Sequence, residues 1–474
     1  MKIKDRFTFI DPANDIDRQQ PSVPPTHDQN DYKNLYRRSI DQPEDFWSSM
    51  ATDHLQWDSP FRSVYLNGAD ASTHSWFAGG KLNACFNCVD RHASHNPHKM
   101  AILYERDEPT STPEGMTFAE LLRDVSKLSW VLKDLGVQQG EVVTVYMPNI
   151  PEAIVGMLAC ARIGAVHSVV FAGFSSQSLR GRLDDAKSKV ILTVDEGVRG
   201  GKVIPMKNLV EDALVEYEGP RVKCLVLRRT KNPVPWCHRS TDFNWHEECA
   251  KWPSYFAPVS MGAEDPLYLL YTSGSTGKPK GLMHSTAGYL LSCAVSGKYA
   301  LDLKPADVMF CAGDVGWITG HNYLVYSPLL LGITTVIFEG TPAYPDFDRF
   351  WQILSRCKAS HFYAAPTTLR MIKKARPDGN KMALKDLRVI ASIGEPLAPN
   401  VWEWCFEILG RKRACVLDVS FDENKKNCSA SKLTFYIRHI FKLRLDATRL
   451  HHWPVLLLLN PVPLLCHSLD SIQH

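Results

Sequence analysis

The sequence predicts an α/β protein in which two adjacent doubly wound subdomains are each built on a mostly parallel sheet. Strand and helix patterns alternate along the chain after Asn83, as expected for parallel sheets covered by helices on both faces. The pattern forms two series, and the second starts at Leu267. Of the 474 residues, 45% are hydrophobic and 22% are charged, a composition typical of a globular protein with a large core.

The first series begins with an amphipathic helix. Apolar residues recur at helical spacing from Phe118 to Leu135, Thr117 and Glu120 form a capping-box pattern, and Gly136 is suited to the position after the helix. The pattern then predicts strands and helices in alternation over 142–147, 151–164, 165–171, 179–186, 190–194 and 222–227. Ligands bind at the carboxyl ends of the strands in such sheets, so the loops that follow strands are the candidate site.

The second series has the same rhythm. It predicts strands over 267–271, 308–311, 334–338, 361–364 and 387–393, with helices over 347–357 and 367–374. Residues 32–83 are rich in aromatic side chains and predict an irregular cap packed on the larger body. Residues 1–31 mix charged residues with proline and glutamine, which predicts a disordered tail.

Charge and cysteine usage argue against several classes of protein. The formal net charge is only +3, which argues against a dedicated nucleic-acid binder. No run of about 20 apolar residues occurs, so no membrane-spanning helix is predicted. Cys85 and Cys88 form the one CxxC pair, and no second pair or histidine cluster follows at zinc spacing, so we expect reduced thiols and no metal site. Cytosol is the expected compartment, with an additional nuclear pool left open.

The strongest functional signal is the segment 271–281, which follows a predicted strand. It contains three glycines, four hydroxyl residues and two lysines. Glycines let backbone N–H groups approach an anion, hydroxyls donate hydrogen bonds and lysines supply charge. The predicted phosphate-binding residues are Thr272, Ser273, Gly274, Ser275, Thr276, Gly277, Lys278 and Lys280. The segment is not a Walker A loop, because the glycines are three apart and Pro279 follows the first lysine. A flexible surface loop is the alternative interpretation.

Segment 271–281 closely resembles the signature loop of the adenylate-forming enzymes, which include acyl-CoA synthetases, luciferases and the adenylation domains of peptide synthetases. Residues 76–83, with 90–92 after them, resemble the N-terminal segment of acetyl-CoA synthetases. The resemblance covers residues 32–418 and is specific to the acetyl- and propionyl-CoA synthetase branch. It implies that the two subdomains form the N-terminal, AMP-binding domain of such an enzyme.

The resemblance implies an acid–thiol ligase that works in two steps. A carboxylate, taken to be acetate, attacks the α-phosphorus of ATP to give acyl-AMP and pyrophosphate, and the thiol of coenzyme A then displaces AMP. ATP, Mg²⁺ and coenzyme A are therefore expected, with no nucleic-acid or membrane partner and with no prediction of the oligomeric state. Gly394, Glu395 and Pro396 match the turn that binds adenosine. His284 and Glu395 could be taken for an acid–base pair, but we expect both to be structural.

The resemblance also implies a coenzyme A site and an acyl pocket. The residues implied for coenzyme A are Phe171, Ala172, Gly173, Arg199, Gly200, Gly201, Lys202, Thr319 and Ala343. From the residues alone, Arg199 and Lys202 on either side of two glycines offer charge and exposed backbone to a phosphate, and a solvated basic turn is the alternative. The acyl pocket, which should be small enough for acetate, is implied at Trp317, Ile318, Thr319 and Ile393.

The resemblance ends at about Asp418. Residues 419–474 contain no glycine and carry a net charge of +3, which equals that of the whole chain. The family continues with a Mg²⁺-binding glutamate, a tryptophan of the acyl pocket and a C-terminal lid domain that holds the adenylation lysine. We therefore expect a truncated enzyme without the lid domain, and we assign no catalytic residue and no metal ligand. The expected divisions are a tail over 1–31, a cap over 32–92, an incomplete AMP-binding domain over 93–418 and a tail over 419–474 that is foreign to the family.

The tail suggests a hypothesis about its origin. Val419 and Ser420 can be encoded by GTA-AGT, which is also a common intron start, so residues 419–474 could be translated intron; transcripts across this junction decide the question. Three interpretations of function stay open. The chain is an acetate–CoA ligase, a propionate-preferring relative, or an inactive fragment that at most binds nucleotide or coenzyme A. An interaction protein that acts through its tail is a weaker fourth.

Overall fold

Two large sheets form the framework of the computed structural model, which describes residues 8–9, 29–66, 75–272 and 279–419. We call the seven-stranded sheet the first sheet and the eight-stranded sheet the second sheet. In spatial order, the first sheet consists of Thr241–Asn244, Lys223–Leu227, Val190–Val194, Val142–Tyr146, Val166–Val169, Pro266–Thr272 and Lys280–Ser285. The second consists of Thr8–Phe9, Glu114–Thr117, Met100–Glu105, Thr334–Phe338, Val308–Cys311, His361–Ala364, Val389–Ile393 and Cys415–Val419.

Most strand pairs in both sheets are parallel, which confirms the predicted α/β class with two parallel-sheet subdomains. The antiparallel pairs lie at sheet edges: Pro266–Thr272 with Lys280–Ser285 in the first sheet, and the pairs made by Glu114–Thr117 in the second. In the described part of the chain there are also three two-stranded ribbons: Ser63–Leu66 with Ser75–Ala78, Lys81–Leu82 with Met261–Gly262, and Gly197–Arg199 with Lys202–Ile204.

The helices mostly connect the strands. The α-helices are Gln29–Asp41, Pro43–His54, Arg91–His95, Phe118–Asp134, Pro151–Ile163, Ser176–Ala186, Met206–Ala213, Trp245–Ala250, Thr286–Val295, Ile318–Gly320, Ser327–Leu330, Arg349–Arg356, Pro366–Ala375 and Pro399–Trp404. Among the residues that the structure describes, four short segments are π-helical: Phe86–Asp90, Ser296–Ala300, His321–Tyr326 and Cys405–Leu409. None of the helices in the described ranges has the length and apolar character that a membrane crossing needs.

The predicted helix signals have the expected geometry. The Thr117 hydroxyl accepts a hydrogen bond from the Glu120 amide at 3.2 Å, and the Glu120 carboxylate accepts one from the Thr117 amide at 2.8 Å, which completes the capping box. Helix Pro151–Ile163 starts on proline and ends at Gly164, whose φ of +73° lies in the left-handed region. The capping residues in the sequence therefore predicted correctly where these two helices begin and end.

The N-terminal part differs from the expectation. Thr8–Phe9 pairs with Glu114–Gly115, and a helix begins at Gln29, so parts of the segment expected to be disordered have regular structure. The aromatic cap is also not irregular, because it contains two helices and a hairpin. Pro43 at the first position of helix Pro43–His54 is a helix-start signal that the aromatic composition obscured.

Cys85 and Cys88 lie in the core beneath this cap. Both side chains are buried, and burial raises the pKa of the Cys85 thiol to about 12. A thiol with so high a pKa is almost never a thiolate at neutral pH, which makes it unreactive. The CxxC pair is therefore part of the packing of the cap.

Candidate functional site

The carboxyl ends of the two sheets face each other, and Asn149 joins them. Its side-chain amide donates hydrogen bonds to the carbonyls of Gly313 and Phe338, both at 3.2 Å, and its carbonyl accepts one from the Val315 amide at 3.1 Å. Asn149 follows a strand of the first sheet, whereas its three partners lie at the end of a strand of the second sheet or just after one. Loops from both sheets therefore border one cleft, which is where parallel sheets bind ligands.

A buried ion pair clamps one side of this cleft. The Arg229 guanidinium donates to both carboxylate oxygens of Glu339, at 2.6 and 2.7 Å, and the Tyr104 hydroxyl also donates to Glu339. Arg229 comes from the first sheet and the other two residues come from the second. Burial, with the nearby Glu339 carboxylate, raises the pKa of Tyr104 well above its usual value, so this hydroxyl stays protonated and keeps donating.

The predicted phosphate loop connects two antiparallel strands at this edge. Thr272 and Lys280 pair at the ends of two antiparallel strands, and Lys280 is exposed. Residues 273–278 lie outside the described residues, so phosphate binding by this loop stays a prediction. The segment leads from strand to strand, whereas a Walker A loop leads from strand to helix, which agrees with its exclusion on spacing.

The hairpin Gly197–Ile204 carries the residues implied for the nucleotide end of coenzyme A. Gly200 and Gly201 have φ values of +62° and +74°, and their amides donate to the two carboxylate oxygens of Asp107 at 2.6 and 2.7 Å. The backbone that we expected to be exposed is therefore already bonded within the protein. The side chains of Arg199, which is 38% exposed, and Lys202, which is exposed, remain available to an anion.

Aromatic rings and an arginine form a cluster beside this hairpin. The ring of Phe171 lies 5.7 Å from that of Trp317, and the Arg199 guanidinium stacks over Phe171 at 5.4 Å. Trp317 is 47% exposed, which is unusual for so large an apolar ring. The structure thus brings together three residues that the sequence separates widely, two implied for coenzyme A and one for the acyl pocket.

Asp314 connects the same two groups of residues. Its carboxylate lies 3.7 Å from the Arg199 guanidinium and accepts the Gly316 amide at 2.8 Å. Burial raises the pKa of Asp314 to about 6, while the Gly316 amide and Arg199 oppose that rise. Arg199 is therefore held at the cleft by a carboxylate from the loop that also carries Trp317.

The other residues implied for substrates also follow strands of the second sheet. Ile318 and Thr319 follow Val308–Cys311, and Ile393 ends Val389–Ile393, with one strand between them. Two strand spacings amount to roughly 10 Å, so all three can border one pocket. Ala172 is buried, Gly173 and Ala343 are exposed, and the Tyr344 ring beside Ala343 lies against Gly201.

The turn implied for adenosine is fixed by a carboxylate that the sequence did not single out. Asp418 lies opposite Ser392 in the neighbouring strand and accepts the amide of Leu397 at 3.1 Å, which holds Gly394 to Pro396 in place. The sequence feature that could have identified Asp418 is its position as an aspartate near the end of an apolar strand. Asn149 could have been identified in a similar way, because it lies between two prolines after a strand.

Glu395 and His284 lie on different sheets. The Glu395 carboxylate pairs with Arg370 at 2.9 Å, and both side chains are about two-fifths exposed. His284 is buried and stacked on Tyr268 with ring centroids 4.3 Å apart, and burial lowers its pKa to about 3. Each group has its own structural contact, which fits the expectation that they are not an acid–base pair.

Comparison with known proteins identifies the relatives of this chain. The family model described as AMP-binding enzyme matches residues 89–417, and the model for the acetyl-coenzyme A synthetase N-terminus matches residues 32–88. The chain is 52% identical over 414 residues to the acetyl-coenzyme A synthetase of Emericella nidulans, covering 87% of this chain and 61% of that protein. It is 50% identical over 400 residues to acetyl-coenzyme A synthetase 2 of Saccharomyces cerevisiae, covering 84% and 58%.

A solved structure has a similar fold. The acetoacetyl-CoA synthetase from Streptomyces lividans has a TM-score of 0.75 and 28% identity, covering 83% of this chain and 60% of that chain. The resemblance inferred from the motifs is thus confirmed, and its extent agrees with the two family matches. The chain spans about three-fifths of the length of these relatives.

Proposed function

Since the chain belongs to the AMP-binding enzyme family and carries the N-terminal segment of acetyl-coenzyme A synthetases, we propose that it is an AMP-forming acetate–CoA ligase. Acetate and ATP give acetyl-AMP and pyrophosphate, and coenzyme A then gives acetyl-CoA and AMP. One observation carries the proposal beyond family membership. The residues implied for phosphate, adenosine, coenzyme A and the acyl group all lie at the ends of strands, or in the segments that follow strands, at the facing carboxyl edges of the two sheets.

Positioning and charge account for the chemistry of the first step. An acetate oxygen forms a bond to the α-phosphorus as the bond to pyrophosphate breaks, so negative charge grows on the phosphate oxygens. Lys278 and Lys280, with the loop hydroxyls and amides, would stabilise that charge in place of water. Holding acetate beside ATP also removes the entropic cost of their encounter.

In the second step the thiol of coenzyme A attacks the carbonyl carbon of acetyl-AMP, and the C–O bond to AMP breaks. The hairpin with Arg199 and Lys202 would hold the phosphorylated end of coenzyme A by charge. The neighbouring loop with Trp317 to Thr319 would hold the acyl group. Their contact through Asp314 supports a single site in which both substrates meet.

Mg²⁺ would be expected to accompany ATP and to neutralise its phosphates. The described residues contain no group of three or more acidic, histidine or cysteine side chains arranged to hold a metal ion. We therefore assign no protein ligand and no step to the ion. A cytosolic location is part of the proposal, because the cysteines of the described ranges are free thiols, as in a reducing compartment.

The test is acetate-dependent exchange between pyrophosphate and ATP, followed by acetyl-CoA formation, with the purified 474-residue chain. Lys278→Ala should abolish most of the exchange, whereas Lys412→Ala, at a surface position with 68% exposure, should leave it intact. Equal exchange in both variants would contradict the phosphate assignment. Nucleotide or coenzyme A binding without any turnover would favour the inactive-fragment interpretation.

The same assay addresses the acyl group. A pocket bordered by Ile318, Thr319 and Ile393 should prefer acetate to propionate modestly, because one methylene discriminates by about 1–3 kcal/mol. Exchange should therefore be measured with acetate, propionate and butyrate. Propionate as the best substrate would favour the alternative that the chain is a propionate-preferring relative.

A further inference from the structure

The glycine turn of the hairpin Gly197–Ile204 is anchored by a buried carboxylate from the opposite sheet. Asp107 is 2% exposed, and its two oxygens accept the amides of Gly200 and Gly201 at 2.6 and 2.7 Å. Asp107 follows Met100–Glu105 of the second sheet, whereas the hairpin follows a strand of the first. Two consecutive amides at positive φ are a typical anion-binding arrangement, and here the anion belongs to the protein.

Two further contacts tie the hairpin to the same edge of the second sheet. The Val198 amide donates to Glu339 at 3.3 Å. The Tyr344 ring packs beneath the turn so closely that a Cβ on Gly201 would lie 2.9 Å from its Cε2 atom. The hairpin is thus held across the cleft by residues from the edge that also carries the predicted acyl loop.

The anchor has a consequence for ligand binding. Because Asp107 already accepts both amides, a ligand phosphate cannot use them without displacing a buried carboxylate. Recognition of a phosphate at this hairpin then depends on the side chains of Arg199 and Lys202, which flank the turn. Their positions in the cleft depend in turn on the anchored backbone between them.

We propose that Asp107 is a positioning residue that holds the hairpin so that Arg199 and Lys202 meet the 3′-phosphate of coenzyme A. The proposal rests on the proposed function. Asp107 touches no reacting atom, and it acts only through the two glycine amides. The role needs two acceptor oxygens as well as negative charge, because each carboxylate oxygen accepts a hydrogen bond from one of the two amides.

Asp107→Asn is the informative change. It keeps the size of the side chain but replaces one acceptor with an NH₂ group, which would face an amide N–H and leave that donor unsatisfied. The matched control is Asp265→Asn, since Asp265 also accepts the amide of a glycine, Gly262, at 2.7 Å, but in a ribbon with Lys81–Leu82 away from the hairpin. Both variants therefore disturb a carboxylate-to-glycine contact, and only one lies at the hairpin.

The experiment is calorimetric titration of the full chain with coenzyme A, 3′-dephospho-coenzyme A and ATP. For Asp107→Asn we expect coenzyme A affinity to fall by about tenfold or more, because one charge-assisted hydrogen bond is lost. The preference for coenzyme A over its dephospho form should shrink, and ATP affinity should stay within about twofold. Asp265→Asn should leave all three affinities near those of the unsubstituted chain, and thermal melting of each variant reports any general loss of folding.

The outcomes separate the inference from the proposed function. Equal coenzyme A affinity in Asp107→Asn and the unsubstituted chain, with the phosphate preference retained, overturns the inference alone. Tighter binding by Asp107→Asn also overturns it, because the carboxylate would then be competing with the ligand for the amides. Parallel losses for coenzyme A, its dephospho form and ATP would mean that Asp107 is merely structural. Failure of the unsubstituted chain to bind coenzyme A overturns the inference together with the coenzyme A part of the proposed function.

Discussion

Replacing Asp90 with alanine should destabilise the chain by about 3–5 kcal/mol, because it would leave the Arg162 guanidinium charged and buried without a counterion. Arg162 donates to both carboxylate oxygens of Asp90, at 2.7 and 2.8 Å, and its Nε donates to the Phe256 carbonyl at 2.6 Å. The Arg162 side chain is 0% exposed and that of Asp90 is 8% exposed. Water therefore has little access to either charge.

The size of the loss follows from desolvation rather than from the strength of the pair. Bringing both charges out of water is costly, and their mutual attraction offsets that cost only while both are present. Removing both charges together, as in Asp90→Ala with Arg162→Met, should therefore cost less than the sum of the two single changes. The difference is the coupling energy, which we expect to exceed about 2 kcal/mol for so buried a pair.

The measurement is unfolding in urea, followed by fluorescence, for the two single variants, the double variant and the unsubstituted chain. Glu407→Ala is the matched control, because Glu407 pairs at 3.7 Å with Lys412 and the two side chains are 46% and 68% exposed. Loss of such an exposed pair should cost about 0–1 kcal/mol. The reasoning is refuted if Asp90→Ala costs no more than Glu407→Ala, or if the double variant loses as much as the two singles combined.

Three further changes test other parts of the fold. Thr117→Ala should cost about 1 kcal/mol through loss of the capping box, and Thr117→Ser should restore most of it in the same urea assay. Gly164→Ala should destabilise, since φ is +73° there, whereas Gly181→Ala, inside a helix with open space around it, should stabilise by about 0.5–1 kcal/mol. Burial lowers the pKa of His284 to about 3 and of His321 to about 4, so the unfolded chain binds protons that the folded chain does not. Stability should therefore fall as pH drops below about 6.5, by about 2 kcal/mol per histidine at pH 5, and a flat profile between pH 7 and pH 5 would contradict this.

The strands of the core were the most predictable part of the fold. Val190–Val194, Val308–Cys311, Thr334–Phe338 and His361–Ala364 match the prediction at both ends. Each is a short, mostly apolar run bounded by polar or turn residues. Such a run is the whole sequence pattern of a strand that is buried on both faces. Strand Val166–Val169 is shorter than the predicted 165–171, because the strand ends before Phe171, whose ring lies against Trp317, and a turn follows at 172–173.

The sequence analysis did not predict the strands that form only through tertiary contacts. The ribbon of Gly197–Arg199 with Lys202–Ile204 has strands of three residues, too short for an alternating pattern to be seen. The edge strand Cys415–Val419 extends the second sheet where the sequence analysis had noted only the end of the family resemblance. In both places the partner strand or anchor decides the structure, and local propensity carries little information about it.

The candidate site shows the same division between local and long-range information. Consecutive glycines at positive φ place two amide donors side by side at 200–201, but the anion that they bind here is a carboxylate of the protein and not the ligand phosphate that the sequence suggested. The acceptor could not be inferred, because Asp107 lies 93 and 94 positions away from the two glycines and reaches them only once the two sheets have packed together. An internal carboxylate at the amides leaves the flanking cations, Arg199 and Lys202, as the groups that can meet an external anion. The basic residues of this hairpin are thus the groups that can contact a ligand, whereas its glycines fix the backbone geometry that positions those basic residues.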